Sequence, residues 1–169
     1  MQRVTIDSVE NSVQPAAVMR PLTGPLGATD VAVNYYELAP GDSFAFAYHS
    51  HEVQEEIFYV QAGTATFETA DGPVDVGPGE AVRFGPGEFQ RGRNRGEDRV
   101  VALAIGAPLA YGEQVKLREC PACGERTEQR IDSVGEETRV TVCEDCDTET
   151  ARWTRGPDGE NRQVEPDPD

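Results

Sequence analysis

The stretch AYHSHEVQEEIFYVQAG, residues 47–63, contains both histidines of the 169-residue chain, His49 and His51. If it begins as a β-strand, its side chains alternate between two faces, so His49 and His51 lie on the same face. Two imidazoles about 7 Å apart on one face can bind a single metal ion. A turn then leads into a second strand, where Glu55 and Glu56 lie on opposite faces. Either carboxylate can complete the site, because the pattern does not show which face is the inner one.

Short apolar segments separated by turns surround this stretch from about residue 31 to residue 106. The segments predicted as strands are VAVNYYEL, SFAFAYH, EEIFYVQ, TATFET, PVDV, EAVRF and RVVALAIGA. Turns such as TADGP and GPGE contain glycines that allow positive φ and prolines that fix φ. Many short, closely spaced strands predict an all-β sandwich or barrel. A helical turn is expected only in the segment VENSVQPAAVMR near the N-terminus.

The histidine stretch resembles the first motif of the cupin superfamily, in which Gly, His-x-His, Glu and Gly follow one another. Gly41 precedes the histidines here, with a gap to His49 that is two residues longer than in the usual form. Six residues separate Glu56 from Gly63, as in the motif. The resemblance therefore implies that His49, His51 and Glu56 bind one divalent transition metal.

Residues 79–94, GEAVRFGPGEFQRGRN, resemble the second cupin motif. Three positions match that motif in register: Gly79, Gly87 and Asn94. Gly85 stands where Pro is usual, and Gln90 stands where a histidine usually provides the fourth metal ligand. The two motifs imply a double-stranded β-helix, the cupin or jelly-roll barrel, over residues 1–112 including an N-terminal extension. They also imply a homodimer.

Gln90 would leave the barrel site with two imidazoles, one carboxylate and a weak fourth ligand, since a neutral amide oxygen binds borderline metals less well than imidazole. The first three ligands are those of a facial non-heme iron site, but the residues do not identify the metal. We expect a mononuclear metal-dependent enzyme of the oxygenase or isomerase type that acts on a small organic molecule. One alternative is a non-catalytic cupin that binds a small ligand or regulates a partner. The others are a site that has lost its metal and two histidines that lie on a strand without any function. No separate general base stands out, so the sequence leaves catalysis open.

Four cysteines form two Cys-x-x-Cys pairs nineteen residues apart: Cys120, Cys123, Cys143 and Cys146. This spacing is typical of a zinc site, and four thiolates around Zn²⁺ form a closed structural centre. Residues 113–154 resemble a zinc ribbon, which implies one structural Zn and a module that can contact a protein partner. Gly124 allows a tight turn after the first pair, whereas the second pair lacks such a glycine and should turn less regularly. A redox pair would need a βαβ context, and disulfides would need an oxidising compartment.

The composition is strongly acidic, with 15 Lys and Arg against 31 Asp and Glu and a formal net charge of -16 at pH 7. Such a chain repels nucleic acid and anionic membranes. Its acidic residues are spread along the chain, which resembles haloarchaeal-type proteins from concentrated salt. No apolar stretch has the length of a membrane span and no signal-peptide pattern occurs, so we expect a cytoplasmic location. Residues 155–169 are acidic and contain several prolines, which predicts a disordered tail.

If the acidic surface is adapted to salt, the melting temperature should rise with salt concentration well beyond about 0.15 M. The Debye length falls from about 30 Å at 0.01 M to about 3 Å at 1 M, so salt progressively screens the repulsion among the acidic groups. Thermal unfolding measured across this range tests the prediction. A melting temperature that does not change with salt would mean that the acidic surface is ordinary.

Overall fold

The computed structural model describes residues 1–165, which form two antiparallel β-sheets and two short helical turns. The helical elements are a 3-10 turn at Ile6–Ser8 and the helix α1 at Thr23–Leu26. Over residues 1–165, no helix has the length and apolar character that a membrane span requires. The strands are β1 (Val18–Pro21), β2 (Ala32–Leu38), β3 (Tyr48–His51), β4 (Glu55–Ala62), β5 (Ala65–Thr69), β6 (Gly72–Val76), β7 (Ala81–Phe84), β8 (Gln90–Arg93), β9 (Val100–Ala107), β10 (Gln114–Cys120), β11 (Glu125–Ser133), β12 (Thr138–Cys143), β13 (Glu149–Arg155) and β14 (Asn161–Val164).

The strands are arranged in one five-stranded and one nine-stranded sheet. The first has the order β1-β2-β9-β4-β7, and the second has the order β14-β13-β12-β11-β10-β3-β8-β5-β6. The predicted all-β fold is therefore confirmed, and each segment predicted as a strand contributes one. In the barrel, β8 forms where no strand was predicted, and the segment expected to hold a helical turn leads into β1 instead. After residue 113, β10, β11, β13 and β14 also form without having been predicted.

The barrel core forms because side chains on facing strands alternate between the interior and the outside. On β9 the buried residues are Val100, Ala102 and Ala104, and on β4 they are Phe58 and Val60. Stacked rings from other strands complete this core, which is one continuous apolar cluster. The strand pattern in the sequence thus translates directly into the packing between the sheets.

The same alternation decides which carboxylate of β4 faces the interior. Glu56 lies on the same face of the strand as the buried residues Phe58 and Val60. Glu55 lies on the outer face, where it forms an exposed ion pair with Arg83. Strand geometry therefore selects Glu56, in agreement with the spacing of the cupin motif.

Gly63 shows why the first motif ends in glycine. Its φ of 71° lies in the left-handed region, and a Cβ atom at this position would lie 2.5 Å from the Arg99 carbonyl oxygen. The pairing of β4 with β9 also shifts register between Val60 and Ala62. Only glycine permits this conformation and this close approach of the turn after β4 to the start of β9.

The Cys-rich segment continues the barrel sheet, although the composition changes near residue 113. β10 pairs with β3 from Gln114 opposite His51 to Leu117 opposite Tyr48. The sheet then extends through β11, β12 and β13 to β14. Without β10, one edge of β3 would leave its backbone groups unpaired. The sheet is therefore continuous across the predicted boundary near residue 113, although the apolar clusters that pack against it differ.

The segment after residue 155 differs from the predicted disordered tail. β13 extends to Arg155, and β14 pairs with it as an antiparallel neighbour. The Asn161 side-chain nitrogen donates to the carbonyl oxygens of Ser12 at 2.7 Å and Ala16 at 3.0 Å. Backbone pairing and these bonds order a segment whose low hydrophobicity alone predicted disorder. Residues 166–169, the rest of the predicted tail, lie outside the described residues.

A second, smaller apolar cluster joins the C-terminal strands to the barrel. Its buried members are Val13, Phe46, Ala151 and Trp153. The ring centroids of Phe46 and Trp153 are 5.1 Å apart in an edge-to-face arrangement. The Arg118 guanidinium lies 5.3 Å from the centre of the Trp153 ring, within cation–π range. The two parts of the nine-stranded sheet are thus held by side-chain packing as well as by β10.

We expect the barrel and the C-terminal strands to unfold in one transition, because β10 belongs to both and Trp153 is only 2% exposed. Trp153 is the single tryptophan, so its fluorescence reports the C-terminal strands, while far-UV circular dichroism reports every strand. Both signals should give the same midpoint in a urea titration of the zinc-replete protein. Trp153→Ala should lower stability by about 3–5 kcal/mol, measured by circular dichroism. Separate midpoints in the unsubstituted protein would instead indicate two independent domains.

Candidate functional site

The predicted ligands of the barrel site lie together between the two sheets. His49 and His51 are on β3 of the nine-stranded sheet, and Glu56 is on β4 of the five-stranded sheet. Glu56 Oε2 is 3.9 Å from His49 Nε2 and 3.6 Å from His51 Nε2. Donors bound to one transition-metal ion at about 2.1 Å lie about 3 Å apart, so small side-chain movements would close this set around an ion. The donor types also suit a divalent transition metal.

His49 is prepared for metal binding by its hydrogen bond and by its burial. Its Nδ1 donates to the Ala47 carbonyl oxygen at 3.1 Å, which leaves the Nε2 lone pair directed at the cluster. Burial lowers the pKa of His49, and this effect outweighs the opposing attraction of Glu56. The ring is therefore neutral near pH 7, which is the form that binds a metal.

Gln90 occupies the position that the second motif predicts, opposite His49 in the pairing of β8 with β3. Its amide nitrogen lies 3.0 Å from Glu56 Oε2 and 3.3 Å from His49 Nε2, so it can donate to two of the three donors. Its oxygen, Oε1, is buried and has no hydrogen-bond partner within residues 1–165. A buried amide oxygen without a partner is unfavourable. Rotating the amide by 180° would direct this oxygen at the donors, so the residues present fit a metal.

Two further residues of the site come from β10 and were missed in the sequence. Gln114 pairs with His51, and its amide nitrogen lies 3.2 Å from His51 Nδ1. Lys116 pairs with His49, lines the same cavity, and its Nζ lies 3.4 Å from the Gln114 carbonyl oxygen. Local sequence gave no sign that β10 would reach the barrel. The one signal was that Lys116 is the only lysine of the chain.

The donor cluster opens into a cavity of about 340 Å³ between the sheets. The wall includes aromatic rings, Lys116, and four side-chain amides: Gln14, Asn34, Gln54 and Gln114. Burial, and then the charge of Glu56, raise the pKa of Tyr36 strongly, so its phenol in this wall stays protonated. A partly apolar cavity with a few convergent polar groups is typical of a small-molecule site.

The four cysteines also lie together, as their spacing predicts. Cys120 Sγ is 3.6 Å from Cys146 Sγ, and Cys123 Sγ is 3.9 Å from Cys143 Sγ. In a tetrahedral Zn²⁺ site with Zn–S bonds of about 2.3 Å, the sulfur atoms are about 3.8 Å apart. These two distances lie on either side of this value, and all four sulfur atoms lie within 4.8 Å of one another, so the thiols are close to the arrangement that Zn²⁺ requires.

The two cysteine turns are more alike than the sequence predicts. In the first, the Gly124 amide donates to the Cys120 carbonyl at 2.9 Å, and in the second the Asp147 amide donates to the Cys143 carbonyl at 3.0 Å. Asp147 has a φ of 59°, so it adopts the left-handed conformation that Gly124 adopts with a φ of 74°. Aspartate tolerates this region better than most residues do. The prediction of a less regular second turn is therefore wrong.

Two threonine hydroxyls, which the sequence did not single out, contact the cysteines. The Thr127 hydroxyl lies 3.1 Å from Cys143 Sγ, and this hydrogen bond lowers the pKa of Cys143. The Thr148 hydroxyl lies 3.2 Å from Cys146 Sγ and is the main cause that lowers the pKa of Cys146 to about 6. Both bonds favour the thiolate, the form that binds Zn²⁺.

Comparison with known proteins shows which proteins this fold is similar to. Residues 34–106 match the family model described as Cupin domain. A search of curated proteins found no match. Among solved structures, the chain is similar to a sugar phosphate isomerase of the cupin superfamily from Silicibacter pomeroyi, at 16% identity over 96% of this chain and 91% of that chain, with a TM-score of 0.57. It is also similar to the polyketide cyclase RemF from Streptomyces resistomycificus, at 25% identity over 72% of this chain and 88% of that chain, with a TM-score of 0.58.

The matched segment contains all residues of the barrel cluster, whereas the cysteines lie beyond it. Both motif segments lie on paired strands, since Gln90 of β8 lies opposite His49 of β3. Residues 34–106 are therefore similar to a cupin domain in sequence, and the chain shares the double-stranded β-helix fold of these solved structures.

Proposed function

We propose that this protein is a metal-dependent cupin enzyme, of the isomerase or oxygenase type, that acts on a small anionic organic molecule. The observation that carries the proposal is the composition of the cavity of about 340 Å³. Its wall contains the donors His49, His51 and Glu56, and its one lysine or arginine among the described lining residues is Lys116.

The metal would be held by His49, His51 and Glu56, and Gln90 would complete the site or orient a ligand. When bound, a divalent transition metal supplies a Lewis acid with coordination positions open to substrate. Three protein ligands leave such positions, as in catalytic rather than structural metal sites. The Gln90 amide, which bonds to Glu56 in the absence of an ion, would keep the donors in place.

Lys116 would recognise the anionic group of the substrate. Its ammonium group has no carboxylate ion pair among residues 1–165, and its contact at Nζ is a carbonyl oxygen. A cation without a counterion beside a partly enclosed cavity attracts anions. The amides of Asn34, Gln54 and Gln114 would hydrogen-bond to the rest of the molecule, and the protonated phenol of Tyr36 is available as a donor. The fold is shared with a sugar phosphate isomerase, whose named substrate class is anionic.

A non-catalytic ligand-binding cupin is the second candidate, and one observation favours it. The Gln90 nitrogen donates to Glu56 and lies near His49 Nε2, so hydrogen bonds by themselves link these three side chains. In that case the cavity would hold a small ligand, and the Cys-rich strands would pass the signal to a protein partner. The partner and the homodimer implied by the cupin resemblance stay predictions.

We also propose that Cys120, Cys123, Cys143 and Cys146 hold a structural Zn²⁺. The sulfur distances of 3.6 Å and 3.9 Å and the two matching turns support this assignment. Four thiolates leave no position for a substrate, so this ion would stabilise the strands around it and take no part in the reaction.

Metal content and turnover together test the proposed enzyme. Elemental analysis of the untagged protein should find zinc plus a second transition metal, and His49→Ala should lose the second metal while it retains zinc. The metal-loaded protein should then be given sugar phosphates and small dicarboxylates, with the uncharged sugars as a matched control, while oxygen uptake and isomerised products are measured. Binding of an anion without turnover would favour the non-catalytic candidate. A barrel that contains no metal would contradict the proposal of a metal-dependent enzyme.

Gln90→His should raise the affinity of the barrel for Zn²⁺ or Ni²⁺ by at least about tenfold, which is 1.4 kcal/mol. The reason is that an imidazole opposite His49 would replace a weak amide donor. Competition with a calibrated chelator measures the affinity, with Gln61→His as a control because Gln61 is exposed and outside the cluster. An unchanged affinity would show that position 90 does not reach the metal.

Lys116→Gln should raise KM for anionic substrates, or Kd for anionic ligands, by about tenfold or more, because it removes one charge-assisted hydrogen bond. Uncharged analogues should be affected much less. Lys116→Arg should keep most of the affinity because it keeps the charge. Steady-state kinetics or calorimetry measures the change, and an equal effect on charged and uncharged ligands would contradict the role of the ammonium group.

A further inference from the structure

The outer face of β8 carries two arginines, on the side of the strand opposite the donors His49, His51 and Glu56. Gln90 and Gly92 lie on the inner face, where Gln90 meets His49 and Gly92 lies against Phe67, so Arg91 and Arg93 lie on the outer face. The second cavity at this face has a volume of about 460 Å³. It lies between the barrel and the C-terminal strands, and its wall includes Ser43, Arg91, Arg93, Trp153, Asn161 and Gln163.

Both guanidinium groups lack the partners that buried arginines usually have. Arg91 is 7% exposed, and its Nε and that of Arg93 are buried without a hydrogen-bond partner within residues 1–165. Arg91 Nη2 donates a long bond of 3.4 Å to the Ser43 hydroxyl. Neither arginine forms an ion pair with a carboxylate in the described chain. A buried charge without a counterion is strongly unfavourable.

The charges around Arg91 do not supply the missing counterion. Burial, and then repulsion by Arg93 and Arg118, lower the pKa of Arg91 to about 9. Glu68 is the carboxylate that attracts Arg91, but it already accepts from Arg126 at 3.0 Å. In a chain with a net charge of -16, this is a local excess of positive charge.

The two carboxylates in the cavity wall are also engaged elsewhere. Asp42 Oδ2 accepts from the backbone amides of Ala17 at 2.7 Å and Ala39 at 2.9 Å. Glu160 accepts from Arg99 at 3.0 Å. Asp42 and Glu160 line the cavity but form no hydrogen bond or ion pair with Arg91 or Arg93 within residues 1–165, so the space beside the two guanidiniums is available to a ligand.

We propose that this second cavity binds a small oxyanion, held by the guanidinium groups of Arg91 and Arg93. Guanidinium groups match the geometry of phosphate and carboxylate oxygens and form strong charge-assisted hydrogen bonds with them. Because the cavity wall comes from the barrel on one side and from β13 and β14 on the other, a bound oxyanion would stabilise the contact between them. This site is independent of the proposed enzyme, since Gln90 and Arg91 lie on opposite faces of β8.

The probe for this site is inorganic phosphate added to the full chain at constant ionic strength. A phosphate concentration about 100-fold above Kd should raise the melting temperature by about 5–10 °C, because the ligand binds only the folded state. Sulfate should act similarly and acetate less, whereas chloride at the same ionic strength should leave the melting temperature unchanged. If the natural ligand is a larger molecule that carries the oxyanion, a sugar phosphate should bind at least tenfold more tightly than inorganic phosphate does. No shift with phosphate or sulfate would overturn the proposal.

Charge-matched variants locate the effect. Arg91→Gln and Arg93→Gln should each weaken phosphate binding at least tenfold, and Arg91→Gln should be no less stable than the unsubstituted protein when phosphate is absent. Arg83→Gln removes an exposed arginine from β7, and Lys116→Gln removes the cation of the metal cavity, and both should retain the full phosphate shift. If Arg91→Gln does not fold, Arg93→Gln alone decides. Retention of the shift in Arg93→Gln, or its loss in Lys116→Gln, would refute the second site.

Discussion

The pairing of β3 with a neighbour on each side is the constraint on which the site depends. His49 lies opposite Gln90 of β8 on one side and opposite Lys116 of β10 on the other. In antiparallel pairs such residues share a face, and a slip of one residue would move every one of them to the other face. Backbone register therefore brings the two histidines, the Gln90 amide and the one lysine to a single wall, and Glu56 faces them from β4 of the other sheet. The register of the strands fixes the positions of these side chains, and their chemical groups determine what the site can bind.

Because β10 is part of that wall, the Cys-rich strands belong to the site and not to a separate appendage. Gln114 and Lys116 lie near one end of β10, and Cys120 is its last residue. A Zn²⁺ ion at the cysteines would fix the far end of a strand of 7 residues whose near end contacts the histidines. Structural metal binding and cavity shape are then coupled through one strand. This gives a physical reason for a small metal module beside a barrel that already has its own core.

The sequence predicts the local features well and the long-range ones poorly. Alternation of apolar residues and the positions of Gly and Pro predict the barrel strands, and motif spacing predicts His49, His51, Glu56 and the position of Gln90. The pairing of β10 with β3 joins residues more than sixty positions apart, and no local pattern encodes it. The strand at 161–164 forms because Asn161 bonds to the N-terminal segment, a contact that composition cannot reveal. Asp147 takes a left-handed turn that spacing alone assigns to glycine.

Side-chain alternation along β8 places its arginines on the face opposite Gln90. Along β8, Gln90 contacts His49 and Glu56 while Arg91 lines the cavity behind the strand, so adjacent residues would serve the two proposed sites on opposite faces. A slip of β8 by one residue would exchange its two faces and disrupt both sites, so both sites depend on the same register. Burial of Arg91 is unfavourable in isolation, yet this residue lies in a cavity between the barrel and the C-terminal strands whose wall includes Trp153 and Asn161. An anion at that junction would turn an unfavourable buried charge into a contact that joins the two parts of the sheet.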